Sequence, residues 1–291
     1  MTYLEFSSIL NKHIFKGEKS EILRRIAEDP ERFIGLFRPT KPGAKILQNL
    51  LQSHEIKMGD ALEEIIENII QDLKFKSLPK NILDNNGEML SLDQYFTNGK
   101  TYYFIEQKVR DDHDSSKKRG QISNFEKKLE ILYKKHGADL IGIMYFIDPD
   151  LSKNKNYYTQ ELKRLGEFYG IRLYLFYGKE LFEYFKHPET WDSILSWLKE
   201  WKNSLPELPD INLDKTPQES FDELKDLELR VWRKIIENEK LWEEGILKAI
   251  FREGTTLKIL VSFFKSKQSV PYENLSISLT ERLSKYYANN K

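Results

Sequence analysis

The chain contains no cysteine, which excludes disulfides and thiolate-bound metals and leaves oxygen and imidazole as donors for any ion. It has no excess of charge of either sign, 46 basic against 46 acidic residues. A polyanion could therefore be held only by a local cluster of basic groups. No apolar run approaches the roughly 18 residues that a membrane span needs. The opening "MTYLEFSSILNKHIFKGEKS" lacks the charged start and small-residue cleavage site of a signal peptide. A cytoplasmic protein is the expectation. There is no glycine-rich phosphate loop, which argues against an ATP-driven enzyme. His13, His54, His136 and His187 are scattered without ligand spacing.

What is present changes its period along the chain. Ile22, Leu23 and Ile26 fall at helical spacing in segment 18 to 28, and "KPG" at 41 to 43 punctuates the chain. From Lys45 to Leu73 the residues Ile46, Leu50, Leu62, Ile65, Ile66, Ile69, Ile70 and Leu73 keep a helical period, with a break expected near "SHEIKMG". These helices are expected to cover a sheet. Asn-Gly pairs at 86 to 87 and 98 to 99 then bound short strands, and "TYYFIEQKV" (101 to 109) is rich in aromatic and branched residues, predicting a hairpin or meander. Helices are expected over 118 to 136 and 157 to 169. "DLIGIMYFID" (139 to 148) and "IRLYLFYG" (171 to 178) read as buried strands, parallel neighbours in an α/β core.

"NSLPELPDINLDKTPQES" (203 to 220) collects three prolines and many small polar residues. It is expected to be a linker between residues 1 to 202 and a helical domain at 221 to 291, with one short extended piece around "SVPYENLSISL". The tryptophans at 191, 197, 201, 232 and 242 have spacings that suit helix packing, and "KNKNYY" (153 to 158) reads as a solvated turn.

The segment "TYYFIEQKVRDDHDSSKKRGQ" (101 to 121) breaks from apolar strand into charge. Glu106 and Lys108, two apart, share one face of the strand, with Ile105 and Gln107 on the other. A carboxylate and an ammonium at the end of an apolar strand cost desolvation unless compensated. A surface ion pair is one compensation; a hydrated divalent cation with a phosphate is the other. Upstream, Asp93 in "LSLDQYFTNGK" precedes Glu106 across a glycine-containing turn, so folding the hairpin would bring both carboxylates to one end.

An acid on one strand, a short turn, then acid-x-Lys on the next resembles the PD-(D/E)XK pattern of type II restriction endonucleases and related nucleases. Asp93 matches the first acid, Glu106 the second and Lys108 the lysine, while "FIEQKVRDDHDSSKKRGQ" is similar to a longer block of a subgroup of these enzymes. The likeness covers roughly residues 55 to 180. Leu92 stands where the pattern has proline, which leaves Asp84 as the competing first acid. The resemblance implies a central mixed sheet flanked by helices, in an α/β (α+β) fold with added N-terminal helices and a helical C-terminal domain. It also implies a further carboxylate from a preceding helix, where "MGDALEEII" offers Glu63, with Glu64 competing.

Phosphodiester cleavage needs a positioned water, neutralised phosphate charge and help for the leaving oxygen. The resemblance implies that Asp93 and Glu106, with Glu63 as a further ligand, hold Mg²⁺, for which Mn²⁺ would substitute. Lys108 would orient or activate the water and contact the phosphate, giving 5′-phosphate and 3′-hydroxyl ends. Arg110, Lys117, Lys118 and Arg119 suit phosphate contacts near Lys108. Gln121 and Asn124 are spaced to share one helix face and to meet phosphate or base. Asp111, Asp112, His113 and Asp114 read as groups that order the loop or position phosphate, with a cap on the following helix from Asp114, Ser115 or Ser116.

The expected partner is double-stranded DNA, cut at a short specific sequence by a homodimer or by sequential nicking, with a cognate DNA methyltransferase as the genetic companion. A nuclease that reads branched DNA is one alternative, separable by whether cleavage gives discrete fragments. A non-catalytic DNA-binding regulator is another, separable by a Lys108→Ala comparison.

Overall fold

The computed structural model describes residues 1 to 35, 37 to 84, 86 to 112 and 114 to 287. Helices α1 (Tyr3–Ile14), α2 (Glu18–Glu28) and α3 (Pro42–Asp72) come first. They lead into β1 (Lys76–Ser77), β2 (Asn81–Leu83), β3 (Met89–Ser91), β4 (Gln94–Thr97) and β5 (Tyr102–Lys108). Then α4 (Ser115–His136), β6 (Leu140–Phe146), α5 (Lys155–Tyr169), β7 (Arg172–Tyr177), α6 (Glu180–Tyr184) and α7 (Glu189–Asn203) alternate. The tail is helical: α8 (Pro217–Leu224), α9 (Leu229–Glu237), α10 (Glu239–Glu243), α11 (Ile246–Ile250), α12 (Thr255–Ser266) and α13 (Val270–Tyr287). Among the described residues no helix is long and apolar enough to cross a membrane.

Two compact units result, Met1–His13 with Lys57–Leu205, and Ile14–Ile56 with Pro206–Lys291. The division by contact is discontinuous in sequence, whereas the composition of 203 to 220 suggests a continuous one.

The first unit holds a five-stranded mixed sheet in the order β1-β4-β5-β6-β7 and a separate β2-β3 hairpin. The β4-β5 pair is antiparallel, with Gln94 opposite Ile105 and Thr97 opposite Tyr102. Its turn is built by Asn98, whose Oδ1 accepts the N–H groups of Lys100 and Thr101 at 3.0 and 2.8 Å, and by Gly99 at φ +91°. That φ suits glycine because it has no Cβ. One step past the paired residues, the same register sets Asp93 across from Glu106. The strands β5, β6 and β7 run parallel, Glu106 beside Met144 and Lys108 beside Phe146, as the near-continuous apolar runs predict.

Pleating sends Phe104, Glu106 and Lys108 to the face covered by α4 and α5, where Phe104 meets Phe125 at 4.9 Å between ring centroids. Leu92, Tyr95, Ile122, Phe125, Leu129, Phe146, Tyr158 and Leu162 pack there as one apolar cluster. Gln94 points to the other face and donates to the Glu63 main-chain oxygen of α3 at 2.8 Å.

The second unit is all helical in its described part. Ile22, Leu23 and Ile26 of α2 pack with Leu224, Trp232, Ile235, Leu257 and Leu260 of the tail. So α2 covers tail helices rather than a sheet. Three further expectations are corrected. The helix does not break at "SHEIKMG": α3 is continuous, since that stretch has no proline and a single interior glycine costs only about 1 kcal/mol. Burial of Leu62, Ile65, Ile66, Ile69 and Ile70 outweighs that cost. "SVPYENLSISL" is helical within α13 apart from Ser269, because Pro271 sits in the first turn, where its missing N–H removes no helical bond. "KNKNYY" is no solvated turn, for α5 begins at Lys155, Asn154 is buried and Tyr158 is enclosed against Phe146.

Candidate active site

Three polar side chains meet at the carboxyl end of β5. Lys108 Nζ lies 3.1 Å from Asp93 Oδ2 and 2.9 Å from Glu106 Oε1, and it also donates to the Gln107 carbonyl at 2.8 Å. Asp93 is fixed from the strand itself, accepting the Gln107 N–H. Asp84 lies elsewhere, in the β2-β3 hairpin, where it accepts the N–H groups of Asn86 and Glu88 and pairs with Lys127 at 2.8 Å. The geometry therefore joins Asp93, rather than Asp84, to Glu106 and Lys108.

Glu106 is 2% exposed. A carboxylate at such depth requires partners, and removing one from a buried pair typically costs about 3–5 kcal/mol. Two partners come from α4: Lys128 Nζ at 2.5 Å from Oε2 and Asn124 Nδ2 at 3.3 Å from Oε1. Lys128 is itself buried. It is the site residue that the sequence reading missed; the available signal was its place four residues after Asn124 and seven after Gln121, on one helical face.

Burial pushes the Lys108 ammonium toward losing its proton, but the charges of Glu106 and Asp93 outweigh it and hold the group above its ordinary 10.5. Lys108 in this arrangement is a cation. Glu63 is drawn to a different partner, Lys80, which also reaches Glu67 at 3.1 Å. Burial first, with smaller contributions from the charges of Asp93 and Asp60, raises the Glu63 carboxyl above its ordinary 4.5 against the pull of Lys80. Glu64 pairs with His13 at 2.6 Å and Lys12 at 3.2 Å. Among the described residues no three His, Asp or Glu side chains gather as a metal cluster.

The basic residues follow β5. Arg110 is half-buried in the loop, Lys117 and Arg119 are exposed on the first turns of α4, and Lys118 stands over the Tyr157 ring at 4.6 Å. Asp114 caps α4, accepting from Ser116 and Lys117 at 3.1 and 2.9 Å. Gln121 accepts the Tyr158 hydroxyl, and Asn124 is turned to Glu106. Asp111 is fully buried; Asn154 donates to it through its main chain and side chain at 2.8 Å each, and the Tyr177 hydroxyl at 3.0 Å. It orders the loop. His113 lies outside the described residues.

A family model described as "Type II restriction endonuclease, HinfI" matches residues 2–85 and 76–202, more than half of the 291 residues. The chain belongs to this HinfI type II restriction endonuclease family. No curated protein and no solved structure matches. The HinfI match includes the whole of the sheet and Asp93, Glu106, Lys108 and Lys128, and it ends before α8.

Proposed function

We propose that the protein is a Mg²⁺-dependent type II restriction endonuclease with a PD-(D/E)XK core, hydrolysing both strands of DNA at a short specific sequence to leave 5′-phosphate ends. The observation that carries the reading is the convergence of Asp93 Oδ2 and Glu106 Oε1 on one ammonium, that of Lys108. Two carboxylate oxygens aimed at one cationic point are a hard-oxygen donor set that fits Mg²⁺, with Mn²⁺ as substitute, the remaining positions being left to water and phosphate. Asp93 and Glu106 would hold the ion. When bound, it would supply charge neutralisation at the phosphate and acidify the attacking water.

The remaining steps belong to the chain. Asp93 keeps its orientation through the Gln107 N–H, and Glu106 keeps its own through Lys128 and Asn124. Lys108 would turn from the carboxylates to the phosphate and orient or activate the water. Arg110, Lys117, Lys118 and Arg119 supply phosphate contacts along the loop and helix start. Gln121 and Asn124, engaged with Tyr158 and Glu106, support the site from α4 and would meet phosphate or base from that helix. Glu63, paired with Lys80, would be the further carboxylate available to the ion. Cutting both strands takes either two active sites brought by a homodimer or one site that nicks the strands in sequence, and a methyltransferase would protect the host's own sites.

Lys108→Ala decides between enzyme and binding protein. The variant is expected to retain DNA binding in a mobility-shift assay and lose cleavage, while the wild type with Mg²⁺ reduces an unmethylated genome to discrete fragments whose sequenced ends give the site. A wild-type protein inert with Mg²⁺ and Mn²⁺ on many unmethylated DNAs sinks the proposal.

A further inference from the structure

The two lysines that meet Glu106 differ in what they are free to do. The Lys108 side chain is 31% exposed and stands at the strand end between two carboxylates. The Lys128 side chain is 6% exposed, on the α4 face that also buries Phe125, Leu129 and Leu132, and it touches Glu106 alone of the two acids. One ammonium can turn outward to solvent or substrate. The other is enclosed.

We infer that Lys128 is a positioning residue: it pins Glu106 Oε2, so that Oε1 faces Asp93, and it remains the counter-charge of Glu106 when a divalent cation displaces the Lys108 ammonium. This rests on reading Asp93 and Glu106 as cation ligands. Without Lys128 the carboxylate can turn about its last torsion, and Lys108 becomes its only ammonium partner. Both effects oppose a cation entering between Glu106 and Asp93, against the relief of the repulsion that the Lys128 charge itself exerts on the ion. Groups that orient a ligand from behind typically contribute 10- to 100-fold in metal affinity.

The test measures Mn²⁺ binding by titration calorimetry without DNA, on wild type, Asp93→Asn and Lys128→Met, a swap of similar length. The expected result is Mn²⁺ binding by wild type, loss in Asp93→Asn, and weakening by about tenfold or more in folded Lys128→Met. Because the chain has no cysteine, Lys128→Cys can be alkylated in denaturant with bromoethylamine and refolded, restoring an ammonium at this one position and with it the affinity. A Lys128→Met protein that melts earlier but binds Mn²⁺ like wild type, while Asp93→Asn does not bind, overturns the inference and leaves the enzyme reading standing. Should Lys128→Met not fold, Lys128→Gln takes its place, with wild-type Mn²⁺ affinity again overturning the inference. A wild type that binds no Mn²⁺ overturns the inference, and the enzyme reading then stands or falls on the cleavage assay alone.

Discussion

The Oδ2 atom of Asp93 accepts the main-chain N–H of Gln107 at 2.7 Å, the residue between Glu106 and Lys108. The Asp93 carboxylate is thus oriented by the sheet itself. Asp93→Asn keeps an oxygen able to accept that bond while removing the charge. The fold is expected to survive, with cleavage of unmethylated plasmid falling by about 10²–10³-fold or more, the scale of losing one electrostatic group from such a site. Cutting within a few-fold of wild type would remove Asp93 from the catalytic set.

Gly142 on β6 sits under α4, against Phe125. A Cβ there would lie 2.7 Å from both Leu173 Cδ2 and Phe104 Cε1, and 3.1 Å from Phe125 Cζ. Gly142→Ala is expected to destabilise by about 1–3 kcal/mol through overpacking, read as a lower denaturant midpoint. Phe125 is one residue from Asn124 and three from Lys128, so cleavage at temperatures where the variant is folded should fall as well. An unchanged midpoint would show that the three neighbours yield without cost.

Much of this site was legible because a strand has period two. That period put Glu106 and Lys108 on one face, whereas Asp93 and Asp84 both remained open as the upstream acid until the β4-β5 register set Asp93 opposite. Charge pattern alone did not find Lys128, since a lysine on a basic helix reads as solvated until the packing of Phe125 and Leu129 shows that face to be inward. Nor did local periodicity reveal that α2 joins the tail. An amphipathic stripe records that a helix is covered and says nothing about which distant segment covers it.

His136 closes α4 with its ring stacked on Tyr102 at 3.7 Å between centroids and its Nε2 paired with the Tyr95 hydroxyl. Burial first, then the charge of Lys135, lowers its pKa below the ordinary 6.5 against the pull of Asp139. The folded state therefore favours the neutral ring. Its contribution to stability is complete above about pH 6.5 and is lost as pH falls through the lowered folded value. Melting temperatures of wild type should drop faster than those of His136→Gln over the acid range below 6.5. Parallel curves would mean that this histidine titrates alike in folded and unfolded chains.

Asp111 carries a consequence for how the molecule can be altered. Its carboxylate takes donors from Asn154 and Tyr177, its N–H donates to the Leu151 oxygen at 3.2 Å, and its own carbonyl accepts from Lys153 at 3.0 Å. The loops that follow β5 and β6 are therefore stitched together at the level of the main chain. Grafting 109 to 114 into a relative without 151 to 154 would bury the Asp111 carboxylate without its two Asn154 donors, so the two loops are exchangeable only as a pair.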